Sequence, residues 1–373
     1  MKKPPIIWLT TLLFSITFIS ALLLVPWRGV THGFDGIEWL AFVIFTYASG
    51  LSITAGYHRL WSHKSYKAHP VIRFLYALGG ALALQNSALH WCSDHRVHHR
   101  HVDNNEKDPY SAQKGFWYSH IGWMLREYHA SSYSNYNNVR DLQKDAIVMW
   151  QHKYYLTLVI VMNIGLPAFL GWLNGDILSM LLIAGLLRLV VVHHSTFFIN
   201  SLAHMWGEQP YTDKNSARDN AFIALLTYGE GYHNFHHVFE NDYRNGTKWW
   251  HYDPTKWLIK LMSLMHLTSD LRKVSQQRIE NVRLKMQLSR VKHQVVNLPN
   301  CNALIKKIEM EHKVMKSKLL EYYEAKKNLL EAKHKKGAVQ KLQQQVQLLR
   351  KQFIAQQRHW AEFTATFAIK VAG

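Results

Sequence analysis

Residues 6 to 27 read IIWLTTLLFSITFISALLLVPW, with no charged position among them. At 1.5 Å per residue a helix of that length crosses a hydrocarbon layer roughly 30 Å thick. A segment in lipid must satisfy its own backbone hydrogen bonds, so a run of this kind commits the chain to helical spans. Met1-Lys2-Lys3 ahead of it resembles the basic start of a secretory signal. The apolar run is long and no small-x-small cleavage pattern follows, so an uncleaved anchor is expected.

A second span is expected at roughly 37–56, and two more near 154–173 and 177–199. The last two are joined by Asn174-Gly175-Asp176, which fits a tight turn between antiparallel helices. The stretch 71–89 is also apolar but carries Arg73, Gln85 and Asn86, and reads as a buried or interfacial segment rather than a crossing. Four spans, the minimum, leave both termini on one side. Lys and Arg are dense in 58–153 and again after 205, whereas the link between the first two spans holds only Arg28. That asymmetry assigns the large segments and both termini to the cytoplasm.

Cys92 and Cys301 are the two cysteines of the 373-residue chain. A disulfide framework, a zinc ribbon and a cysteine-bound iron–sulfur centre are therefore unsupported, and a reducing compartment is expected. The formal charge is +19, of which 275–373 supplies +13 through 20 Lys or Arg against 7 Asp or Glu. Tryptophan nearly vanishes after about residue 274, and Leu342, Val346, Leu349 and Phe353 recur at four-three-four spacing. The sequence thus divides into a membrane part, 1–274, and a basic helical tail, 275–373, of two or three helices punctuated by Pro299 and Gly337. The tail reads as a solvated amphipathic helix set that anionic lipid headgroups could also attract. No nucleic-acid-binding module is present.

Nine histidines fall in short clusters: His58 and His63; His95, His98 and His99; His204 alone; His233, His236 and His237. Two of the clusters repeat His-x-x-His-His, so one helical face would present three imidazoles together. Neutral imidazole is a ligand for iron, copper, nickel or zinc, and nine exceed what one four-coordinate ion needs. A two-metal site is expected. His58 and His63 lie five apart, about 140° around an α-helix, and can reach one site only if the helix ends or bends between them. The 15 remaining histidines, His193 and His194 included, read as structural. Glu230-Gly231-Tyr232-His233 fits the Glu-x-x-His signature of carboxylate-bridged bundles. The same pattern at Glu309–His312 and Glu331–His334 in the tail marks it as chance.

The segments HRLWSH at 58–63, HRVHH at 95–99 and HNFHH at 233–237 resemble the three histidine boxes of the membrane fatty acyl-CoA desaturases. The resemblance covers roughly 30–274 and includes Gln85-Asn86, Trp91, Asp94, Asp108-Pro109, Gly115-Phe116, Ser119 to Trp123, Asn200 to His204, and Gly229 to Tyr232. It implies an all-α fold: four transmembrane helices, a cytoplasmic helical cap holding a di-iron site, and the C-terminal tail beyond. It implies two iron ions held by His58, His63, His95, His98, His99, His204, His233, His236 and His237, with Asn200 reaching one through water. Gln85, Trp91 and Thr196 would line the bend of an acyl tunnel, with Asn86 and Asp94 near its polar mouth.

The implied reaction removes two hydrogens from neighbouring carbons of a saturated acyl chain, most simply at the ninth carbon, giving a cis double bond and water. Its co-substrates are molecular oxygen, an acyl-CoA or other acyl carrier, and electrons from a separate ferredoxin or cytochrome b5-like protein. The setting is a bacterial inner membrane or the endoplasmic reticulum, with membrane lipids around the spans. Three positions depart from well-known relatives. Phe197 stands in place of Trp, Ser93 in place of Arg, and Arg126-Glu127-Tyr128 in place of an Arg-Lys pair displaced by one position. An acyl hydroxylase on the same scaffold is the nearest alternative. A membrane metal transporter is the alternative of another class, but transporters place ligands near the bilayer midplane, and these clusters lie outside the expected spans.

Overall fold

The computed structural model describes residues 4–129, 135–334 and 339–372, so Gly337 lies outside the described residues. Helices dominate them, and the one sheet pairs Lys67–Ala68 with Thr268–Ser269. Two compact units emerge, one from most of the chain up to Lys273 and the other from Val274 onward together with Pro210–Asp213.

Four helices among the described residues are long and apolar enough to cross a membrane: α1 (Trp8–Thr31), α2 (Gly36–Ser62), and a later pair, Tyr155–Asn174 and Ile177–Met205. Between the two pairs lie α3 (Pro70–Ala83) and α4 (Ala88–His101). The later spans are α5 and α6. α3 is apolar but too short to cross, in line with the sequence. Asp35 opens α2 with a capping box to Glu38, and Ser87 caps α4 at the His90 N–H. At the α5–α6 link Gly175 takes φ +84°, where a side chain would be strained, and Asp176 caps the next helix.

Burial separates the spans. Trp8, Leu9, Leu22, Leu23 and Leu24 of α1 are exposed, as are Leu156, Ile160, Ile164 and Trp172 of α5, surfaces suited to lipid tails. α2 and α6 are about half buried and form the inner pair. The C-terminal end of α3 meets α6 there: Arg188 donates to Leu82 O at 2.7 Å, and His193 Nε2 lies 3.1 Å from Ala83 O and 3.2 Å from Leu84 O. These α6 side chains satisfy carbonyls that a helix end leaves unpaired, and Leu84 turns the chain at φ +50°.

Two sequence boundaries move. α2 runs past residue 56 to Ser62, and α6 runs past 199 to Met205 with a break at Ser201 (φ −105°, ψ −77°). Asn200 and His204 therefore stand on either side of a bend.

Short cap segments lead to α7 (His233–Val238) and α8 (Pro254–Leu264), the latter capped by Asp253. The second unit holds α9 (Gln276–Val295), α10 (Cys301–His334) and α11 (Val339–Ala372). Its core joins Leu284, Val291, Ile308, Met315, Phe353 and Trp360. The three helices fit the upper of the two expected counts.

Candidate metal centre

α2 changes winding before it delivers its histidines. Gly36–Leu51 is α-helical and Ser52–Ser62 is a π-helix, so His63 N–H donates to His58 O at 3.1 Å, five residues back. The wider turn stacks positions five apart, and the two imidazoles sit 4.8 Å centre to centre. The expected end or bend between His58 and His63 is replaced by this change of pitch.

The nine rings form two groups. His58, His63, His95, His99 and His236 make one, and His98, His204, His233 and His237 the other, each with its ligand atoms within 4.8 Å of one another. Neither His-x-x-His-His box points as a unit at one centre, contrary to the three-ring face read from spacing. α4 sends His95 and His99 to the first group and His98 to the second. α7 sends His233 and His237 to the second group and His236 to the first. In each box the pair four apart shares a centre and the ring between them crosses to the other.

Oxygen atoms stand behind several rings. His58 Nδ1 lies 2.9 Å from Glu230, His98 Nδ1 2.9 Å from Asp108, and His99 Nδ1 3.2 Å from Glu240. His204 Nδ1 contacts Ser216 Oγ at 2.8 Å, and His95 Nδ1 the Tyr110 hydroxyl at 3.3 Å. Glu230 is itself fixed: Arg59, fully buried in the π-helix, donates to it at 2.8 Å and Asn245 at 2.6 Å. Burial opposes charge on Glu230, but the His58 ring and the Arg59 guanidinium outweigh it and hold the carboxyl at about 2. Asp108 is likewise below the usual carboxylate range, against its burial, through the adjacent His98 ring.

Burial, and after it the neighbouring imidazoles, holds His63, His95, His233, His236 and His237 well below the usual histidine range. Burial takes His99 to about 4. These rings are neutral at pH 7, the form that binds metal. An ionised carboxylate accepts only, so the Nδ1 atoms of His58, His98 and His99 carry a proton, and Nε2 is the nitrogen each ring turns toward its group. His236 Nε2 lies 3.0 Å from the Nε2 of both His58 and His99. Three ring nitrogens this close, in a buried site, suit a shared cation better than a set of hydrogen bonds, since a single N–H cannot serve two such neighbours. Nitrogens bound to one ion at about 2.0–2.1 Å are separated by roughly 3 Å when adjacent. In the second group His233 Nε2 is 3.1 Å from both His204 and His237. The residues present fit a metal in each group.

A cavity of about 30 Å³, enough for one small molecule, touches both groups and is lined by Trp91, Thr196, Asn200, His95, His98 and His233 among others. Trp91 stacks on His95 at 4.8 Å. Gln85 donates to Thr196 Oγ1 at 2.8 Å, one bond behind the wall. Asn86 and Asp94 are not among the lining residues: the Asn86 carbonyl accepts from Tyr57 and Asp94 pairs with His90 at 3.4 Å. Glu230, set aside as chance from its spacing, is a buried partner of a site histidine. Asp108, Glu240, Ser216 and Tyr110 also went unassigned from sequence. The available signal was chemical: an acid buried near apolar spans needs a cation or an N–H donor.

The fatty acid desaturase family model matches residues 37–269. The chain belongs to the fatty acid desaturase family. Within it, this desaturase-family chain is 44% identical over 252 residues to "Acyl-CoA desaturase 1" of Saccharomyces cerevisiae, covering 67% of this chain and 49% of that protein. It is 49% identical over 234 residues to "Probable acyl-CoA desaturase" of Schizosaccharomyces pombe, covering 62% and 48%. The "sn-2 palmitoyl-lipid 9-desaturase" of a Nostoc species is 35% identical over 270 residues, covering 71% and 90%. The chain spans about half the length of both yeast relatives.

Proposed function

We propose that this chain is an oxygen-dependent fatty acyl-CoA desaturase that introduces a cis double bond, at the ninth carbon, into a saturated acyl chain. The observation that carries the reading is the pair of buried imidazole groups with Nε2 atoms about 3 Å apart, both bordering one small cavity. His58, His63, His95, His99 and His236 would hold one iron. His98, His204, His233 and His237 would hold the other, with Asn200 at hand through water. Bound there, the two irons supply the oxygen activation and oxidising power that an unactivated methylene requires and no side chain has.

The chain's own residues position and shield. Glu230, Asp108 and Glu240 fix the ring orientation and the proton on Nδ1. Trp91 and Thr196 border the space where a chain must lie, and Gln85 fixes the Thr196 hydroxyl. A narrow apolar channel sets the depth at which a long chain stops and keeps water out. Asn86 and Asp94 belong, on this reading, to the approach on the carrier side. Acyl-CoA is the proposed carrier, as in the names of the yeast relatives, while the Nostoc relative's name specifies a palmitoyl-lipid. Electrons come from a separate ferredoxin or cytochrome b5-like protein, steered by the basic cytoplasmic face. Residues 1–274 are the proposed catalytic unit of a multi-pass membrane protein with cytoplasmic termini, and 275–373 a basic helical tail.

Membranes containing the chain, incubated with stearoyl-CoA, an electron donor and oxygen, are expected to yield a monoene whose double bond mass spectrometry locates at the ninth carbon. A hydroxy acid as sole product overturns the proposal. Metal analysis is expected to find two firmly held irons per chain, whereas exchangeable zinc without oxygen consumption would assign transport.

A further inference from the structure

A second cavity, about 240 Å³, lies against α1 and α6 and shares no lining residue with the cavity beside the metal centre. Phe14 and Phe18 of α1, Leu125, and Val190 and Phe197 of α6 give it an apolar wall. Phe18 and Trp117 are exposed at its edge, on the side where α1 faces lipid. Three imidazoles, His120, His193 and His194, also line it, and none belongs to the two metal groups.

The hydrogen bonds around these rings assign their protons in sequence. Ser201 Oγ donates to Phe197 O at 2.9 Å, so toward His120 Nδ1, 3.0 Å away, it accepts. His120 therefore carries its proton on Nδ1. Burial, reinforced by His194, takes His120 to about 4, so the ring is neutral and its Nε2 accepts. The donor to it is His194 Nδ1, at 3.0 Å. A neutral His194 with its proton on Nδ1 leaves a lone pair on Nε2. His193 is committed elsewhere, its Nε2 lying against the Ala83 and Leu84 carbonyls. The relay thus ends on one hydrogen-bond acceptor in an apolar chamber at the lipid-facing edge, a place where acceptors without a donor are costly.

We propose that this cavity binds a long-chain lipid whose polar end carries an O–H, a protonated fatty acid or a fatty alcohol, with that hydroxyl donating to His194 Nε2 and the alkyl chain lying along Phe14, Phe18 and Val190. It shares no lining residue with the cavity beside the metal centre, where the proposed acyl path ends. A lipid ester or thioester lacks the O–H and does not satisfy the acceptor.

The test uses the full chain in phosphatidylcholine nanodiscs and a palmitic acid analogue carrying a diazirine near its carboxyl. Photolabelling, mapped by mass spectrometry, is expected within 117–125 and 190–197, the segments that line the cavity. Unlabelled palmitic acid and hexadecanol are expected to compete, and methyl palmitate at least tenfold less well. Competition by the acid alone assigns the site to fatty acids, and competition by the alcohol alone to fatty alcohols. His194→Phe is expected to lower labelling about tenfold, and His194→Gln, whose amide oxygen accepts, to restore part of it. Equal competition by methyl palmitate, labelling elsewhere, or unchanged labelling of His194→Phe overturns the proposal. Displacement by stearoyl-CoA at its own binding concentration overturns it too, because the chamber would then be part of the substrate path. The ligand series on the unaltered protein holds even if a variant fails to fold, and failure of the desaturase reading leaves the outcome unaffected.

Discussion

Glu230 joins two neighbours in the HRLWSH box: one carboxylate oxygen lies 2.9 Å from His58 Nδ1 and the other accepts from Arg59 at 2.8 Å. A buried arginine thereby sets the orientation of a metal-site ring from the residue next to it. Glu230→Gln keeps the shape but removes the charge that Arg59 and His58 share. Metal affinity is expected to fall on the order of 10–100-fold, with loss centred on the His58 group, as read by iron content after dialysis against a chelator. Unchanged iron content would show that Glu230 does not support the ring.

The crossing of rings between boxes separates the two centres experimentally. His236→Ala removes a ligand from the five-histidine group and His98→Ala one from the four-histidine group. Each is expected to halve the bound iron and abolish turnover while the protein stays in the membrane. Two variants that each lose all the metal would mean that the centres fill cooperatively. Retained turnover would mean that the ligand set is wrong.

Arg96 clamps the end of α2 to α4. It donates to the Trp61 and Ser62 carbonyls at 2.7 and 3.1 Å and to both oxygens of Asp141 at 2.7 and 3.0 Å. Although burial raises the Asp141 carboxyl, Arg96 and Lys64 hold it well below its ordinary 3.8. A carboxyl depressed in the folded state adds stability that is fully present above its unfolded value and lost as pH falls toward the folded one. Thermal midpoints in detergent are therefore expected to be higher for the native protein than for Asp141→Asn at pH 7. The gap should close progressively below about pH 4. A gap independent of pH would refute the charge argument.

Arg188 is fully buried in α6 and donates to Ala184 O, Leu82 O and the Asn163 side chain. Arg188→Lys offers one point charge in place of a planar fork and leaves acceptors unmet. A loss of about 1–3 kcal/mol is expected, read as a lowered thermal midpoint. Weakening of the α3 end that precedes Gln85 should lower activity as well. A variant as stable as the native chain would show that Asn163 and water can replace the fork.

The contacts of residues from Val274 onward lie mainly within their own compact unit. A chain ended at residue 274 is expected to keep its iron content and its activity in membranes. Loss of metal on truncation would tie the tail to the site.

Hydropathy, the histidine boxes and the Gly175 turn are local properties, legible wherever apolar length or residue spacing alone decides the outcome. The four spans, the all-α class, the punctuated tail and the gathering of histidines follow from them. Spacing misled where backbone pitch or chain crossing mattered. The π-winding of Ser52–Ser62 stacks His58 on His63. The division of each box between two centres depends on where α4 and α7 face each other, a distance of well over a hundred residues along the chain. Glu230 and Glu240 come from segments equally remote from His58 and His99, because an acid that supports a buried ring is located by its partner and not by its neighbours in sequence. Residue type and period therefore determined which elements form and which side chains can bind metal. Tertiary packing alone decided which nitrogens share a centre, since that depends on distances between helices that no local pattern encodes.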